Sequence, residues 1–82
     1  MLTEVQQITL RDALRTAGLK ERKIEDVLLL LRFKPERVQL VFYYRVQGMT
    51  QQWIADKLNM SDRQVRRYIN KHLSDIKKYL KQ

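Results

Sequence analysis

Apolar residues recur along this chain at intervals of three and four, the period of a helix with one buried side. Ile24, Val27, Leu28 and Leu31 form the cleanest such stripe, and Leu29 and Leu30 widen it nearly all round. The pattern predicts a helix from about Lys20 to Phe33 that is either central to the core or offers a second face to a partner. Before it, Leu10, Ala13, Leu14 and Ala17 share a face of a helix within Thr3 to Ala17. Its start is open between Thr3 and Thr9, because either hydroxyl is placed to cap it. Gly18 ends it, since glycine adopts the left-handed backbone that closes helices at little cost. A third helix is expected from Pro35 to Gln47, with Pro35 at its first position, where a missing N–H costs nothing. Val38, Val41, Phe42 and Arg45 share one side of it, and Tyr43 and Tyr44 read as core-edge residues with packed rings and wet hydroxyls. Gly48 stops it. No run alternates as a strand would.

Two more segments follow. Thr50 is a natural N-cap for a short helix whose Trp53, Ile54 and Leu58 stand at helical spacing beside small Ala55. Asn59-Met60 interrupts the pattern, and asparagine is the next-best residue after glycine for a left-handed turn. Ser61 with Gln64 three residues on is a capping box that starts another helix. Val65, Tyr68, Ile69 and Leu73 mark its buried side, and Ile76 and Leu80 carry the stripe on, so one helix is expected over about 61–80. Ala55 allows the two helices to cross closely, which should bury Ile54, Ala55, Leu58, Val65 and Ile69 together, with Trp53 as a plug between them. Asp62, Arg63, Gln64, Arg66 and Arg67 are left pointing outward. This is the layout of a helix-turn-helix, whose second helix enters the DNA major groove. The expected fold class is therefore all-α: a small helical bundle of about five helices in a single domain, 1–82. Residues 1–34 form an N-terminal helical hairpin and 35–82 the helix-turn-helix subregion.

Charge sharpens this picture. The 82 residues carry a formal net charge of +8. Residues 1–41 hold 8 basic and 6 acidic side chains, while 42–82 hold 9 basic and 3 acidic. The excess therefore lies in the half with the helix-turn-helix, as expected for a polyanionic partner. The competing reading is a basic surface kept for solubility.

The stretch from Gly48 to Ile69 resembles the helix-turn-helix of region 4 of bacterial sigma factors and of small phage regulators that share it. The residues that carry the resemblance are Gly48, Thr50, Ile54-Ala55, Leu58, Ser61, Val65 and Arg66. It covers about the C-terminal half of the chain, from Pro35 onward. Two positions depart from the family pattern: Asn59 stands where the turn often has Gly, and Tyr44-Arg45 stands near where the family often carries Arg-Tyr. The resemblance implies base and backbone contacts from Ser61, Asp62, Arg63, Gln64, Arg66 and Arg67. Thr50 and Gln51 open the helix that lies over the DNA backbone, and Lys71 adds a cation further along. Arginine can bond guanine bidentately and glutamine adenine, which suits this set to reading double-stranded DNA. The family also binds RNA polymerase, so a protein-interaction module of that kind is one alternative. A basic RNA-binding or packaging protein is another. A homodimer through the apolar surface at Leu29 and Leu30 is a further expectation, because paired half-sites raise affinity.

Catalytic, cofactor-binding and metal-binding residues are none in this reading. His72 is the only histidine, there is no cysteine, and the two glycines are thirty positions apart, so neither a metal site nor a phosphate loop is suggested. The absence of cysteine fits a reducing, cytoplasmic setting. No membrane role is expected: the longest apolar run, Val27 to Leu31, is far too short to span a bilayer.

Overall fold

Thr3 opens the first helix. In the computed structural model, which describes residues 1–80, its hydroxyl accepts from the Gln6 backbone N–H, and the Gln6 side chain accepts from the Thr3 N–H. This capping box settles the choice of start: Thr9 lies inside the helix and returns its hydroxyl to the Val5 carbonyl. Among the described residues six helices follow one another, α1 (Glu4–Thr16), α2 (Glu21–Arg32), α3 (Glu36–Val46), α4 (Gln51–Leu58), α5 (Asp62–His72) and α6 (Ser74–Leu80). No strand is present among the described residues. None of the described helices is long and apolar enough to cross a membrane.

Three of the junctions use one device. At Gly18, Gly48 and Asn59 the backbone turns left-handed, with φ of 99°, 90° and 56°. Each residue donates its N–H three positions back, to Arg15, Arg45 and Asp56, and the next residue donates five back, to Leu14, Tyr44 and Ala55. This is the Schellman motif, which satisfies carbonyls that the helix end leaves unpaired. Asn59 performs a glycine's role here, as its short polar side chain permits. Pro35 differs from expectation by one position. It is the N-cap of α3, with ψ of 152°, and its carbonyl accepts the Gln39 N–H at 3.0 Å.

The core runs through all six helices: Leu10 and Leu14, Ile24, Val27 and Leu31, Val38, Val41 and Phe42, Ile54 and Ala55, Val65 and Ile69, and Ile76. Helix α3 is its hub, packed against α1, α4 and α5, while α2 packs against α1 and α6. The radius of gyration is 11.9 Å, about that of one compact domain of this length. Gln39 is the one buried polar side chain among the described residues; its amide donates to the Lys34 carbonyl at 3.0 Å and to Arg32 at 3.4 Å. It therefore serves the open end of α2 from the next helix.

The single helix expected over 61–80 is two. Helix α5 ends at His72, Leu73 takes φ of −108° and ψ of 5°, and α6 begins at Ser74. The bend turns α6 back onto α2, buries Ile76, and sets Asp75 3.0 Å from Lys34. The gain therefore comes from contacts distant in sequence, and no glycine or proline marks the break. The Leu80 side chain, expected to end the apolar stripe, and Lys81, expected beside it, lie outside the described residues.

Candidate nucleic-acid interface

Helix α5 is anchored on one side and bare on the other. Val65 and Ile69 are buried, each contributing about 1.5–3 kcal/mol through lost contact with water. Ser61 accepts from the Gln64 N–H at 3.1 Å, and the Gln64 side chain accepts from the Ser61 N–H at 3.0 Å. The start of the helix is thus pinned by a cap, and its mid-section by the crossing with α4. That crossing passes over Ala55, which is buried with Ile54, Val65 and Ile69; Leu58 is half-buried against the same cluster.

On the opposite side, Arg63, Arg67 and Lys71 succeed one another at i, i+4 and i+8, with Arg66 on the flank. All four are exposed. Among the described residues none joins an ion pair and none spends its side chain on a hydrogen bond. Like charges four apart on a helix repel by about 0.2–0.5 kcal/mol per pair. The row is thus a small standing cost to the folded chain. The only acid on α5 is Asp62, exposed in its first turn, where the helix dipole favours it.

Seven of the nine expected site residues fall into two groups. Arg63, Arg66, Arg67 and Lys71 share the open side of α5 and are free to bind. Thr50, Ser61 and Gln64 are employed within the fold as caps, Thr50 accepting from the Trp53 N–H at 3.0 Å. Gln51 is half-buried at the first position of α4. Asn70 was not singled out from sequence, yet it lies seven positions after Arg63 on the same open side and is exposed. Helical spacing from Arg63 would have found it. Asparagine can bond adenine bidentately, so it extends the polar face by one turn.

Trp53 corrects another expectation. It does not plug the gap between α4 and α5. It is 40% exposed and packs edge-on to Tyr44 of α3, centroids 5.1 Å apart, and Tyr44 packs likewise on Tyr43. The reason is angular: Ile54, Ala55 and Leu58 occupy the seam, and a residue one step before Ile54 is turned about 100° away from it. His72 is half-buried, its ring edge-on to Tyr68.

A scan against protein-family models, a search of the curated proteins and a search of the solved structures each find no match for this chain.

Proposed function

We propose that this protein is a sequence-specific DNA-binding transcription regulator, with α5 entering the major groove and the start of α4 lying over the backbone. The observation that carries the reading is the row of cations on α5, left without acidic partners on a helix fixed firmly by cap and core. Repulsion within such a row is relieved by phosphates, and a pinned helix holds its side chains in register with base edges. The likeness of the stretch from Gly48 to Ile69 to region 4 of sigma factors supports the same reading from the sequence side.

The test begins by selecting a preferred duplex from a random pool. Arg63→Ala, Arg66→Ala and Arg67→Ala are then compared with the parent on selected and random DNA across a salt series. A phosphate-contacting arginine is expected to weaken both duplexes alike and make the salt slope shallower by about 1. A base-contacting one is expected to cost about 1–3 kcal/mol on the selected duplex and relax specificity there. At least one of the three should show the second signature. If all three bind as the parent does while folded, the DNA reading fails and the RNA polymerase reading takes its place.

A further inference from the structure

We propose that the face built by α1 and α2 docks a second copy of this chain through a two-fold, isologous contact. Between the two helices lies a groove of about 330 Å³, walled by Leu2, Gln7, Arg11, Glu25, Leu28 and Leu29. Apolar side chains stand open beside it. Ile8 is 56% exposed, Leu29 55% and Phe33 79%. Phe33 follows Leu29 by four, so both lie on one side of α2. Isolated exposed apolar residues are ordinary, but Leu29 lines the groove, Phe33 lies one turn on from it and Ile8 three positions before the groove residue Arg11, and helical spacing groups them into a patch that water solvates poorly. Leu30, expected beside Leu29 in such an interface, is instead half-buried against the core.

Charge selects the occupant. The chain carries +8, yet α1 holds two acids and two bases and α2 three of each. The two helices together are therefore neutral, with both signs present, and offer little net field to a strongly acidic or basic partner. For two copies of this chain their face is the favourable approach, since any contact through 42–82 sets one strongly basic half against another. The face is also self-complementary. It has a hollow and, at its edge, a projecting ring, and a two-fold axis can bring each Phe33 to the other copy's groove. Arg11 and Glu25, already ion-paired in the groove wall, then meet their counterparts with unlike charges across the axis. Helix α5 packs on α3, α4 and α6 of its own chain, so its open side remains available in both copies. The dimer stands on this surface alone; its use, two recognition helices on two half-sites, rests on the DNA reading above.

Sedimentation equilibrium of the intact chain without DNA, from about 1 μM to about 0.1 mM, tests it. A reversible dimer is expected to dominate at the upper end. Leu29→Lys and Phe33→Lys should each weaken it by about tenfold or more, and Ile8→Lys provides a third site should either variant lose its helical circular dichroism. Arg67→Ala should dimerise as the parent does. A strictly monomeric chain across the range overturns the proposal, and so does a dimer that folded groove variants leave unchanged. Because no DNA is present, failure here is distinct from failure of the DNA reading, which the arginine series detects on its own.

Discussion

The hairpin of α1 and α2 and the pair α4–α5 are both edged with arginine, and they treat it in opposite ways. In the hairpin, Arg11 ends on Glu25, and Arg15 on Glu21 at 2.7 Å and Asp12 at 3.0 Å. These pairs raise both guanidinium pKa values through the hydrogen bonds to Glu25 and Glu21 and hold the Glu25 carboxyl below its ordinary range. On α5 the arginines meet no carboxylate. The hairpin therefore commits two of its four arginines, Arg11 and Arg15, to carboxylates, Glu25 and Glu21 lying on the other helix, whereas α5 commits none among the described residues and relies on caps and a close crossing to stay folded. A basic surface kept for solubility alone does not require that separation, because intermingled signs dissolve as well.

If the motif is held by its seam, the largest effect should come from disturbing the crossing. Ala55→Leu inserts three carbons where α5 passes over α4, and about 1–3 kcal/mol of stability should be lost. Urea unfolding reads this directly, and DNA affinity should fall with it because α5 is displaced. An unchanged midpoint would mean that the two helices do not cross closely. The turn comes next. Asn59→Ala forces a Cβ-bearing residue without a polar side chain into the left-handed region, at about 1–2 kcal/mol, while Asn59→Gly should be neutral or better. Equal melting of the two variants would remove the left-handed turn from the account.

The contrast in charge predicts opposite signs. Arg15→Ala should lower the urea midpoint slightly and leave DNA binding alone. Arg67→Ala should leave the midpoint unchanged or raise it, since it relieves repulsion from Arg63 and Lys71 worth about 0.2–0.5 kcal/mol per pair, while DNA binding drops. If both variants behave alike on both measurements, the division of labour between the two regions is wrong.

What sequence could show divides along the same line. The caps at Thr50 and Ser61, the stops at Gly18 and Gly48 and the seam residues Ile54, Ala55, Val65 and Ile69 are local signals, set within four or five positions, and pattern alone places them, whereas it leaves the first cap open between Thr3 and Thr9. The break at Leu73 is different. Leu73 and Ile76, three apart, fit a straight helix as well as a bent one, and the choice falls to α2 and Lys34, far away in the chain. The Gln39 amide is likewise decided by its neighbours: nothing near it signals that it will serve the carbonyls of Arg32 and Lys34. Trp53 was misplaced for another reason, since its type suggested the core while its position on the helix turned it aside. The charged row on α5 is legible as residues, but that it meets no acidic partner among the described residues is known only from where the fold places their carboxylates.

The smallest predicted effect concerns the one side-chain ion pair, among the described residues, that joins residues 1–34 to residues 35–82. Lys34, in the turn after α2, donates to Asp75 Oδ2 at 3.0 Å, and Asp75 Oδ1 accepts the Ile76 N–H at 2.9 Å. Partial burial works to raise the Asp75 carboxyl, but the Lys34 hydrogen bond, its charge and the backbone N–H together outweigh it, and the pKa lies below its ordinary value of 3.8. A carboxyl depressed on folding contributes stability above its unfolded pKa, and that contribution fades as pH falls through the folded one. Asp75→Asn should therefore unfold at lower urea than the parent near neutral pH, and the gap should close as the solution is acidified below the ordinary carboxylate range. Glu25→Gln should show the same trend from the hairpin, because Arg11 depresses that carboxyl in the same sense. The Arg11–Glu25 pair is the more open to solvent and the Lys34–Asp75 pair is half-buried, so added salt at neutral pH should narrow the Glu25 gap more than the Asp75 gap. Asp62→Asn on α5 is the control: it has no ion-pair partner and should show no gap that salt removes by breaking one. A gap for Asp75 that persists unchanged into acid would mean that the bend at Leu73 is held by the packing of Ile76 alone, and the pair with Lys34 would then be a consequence of the bend rather than a support for it.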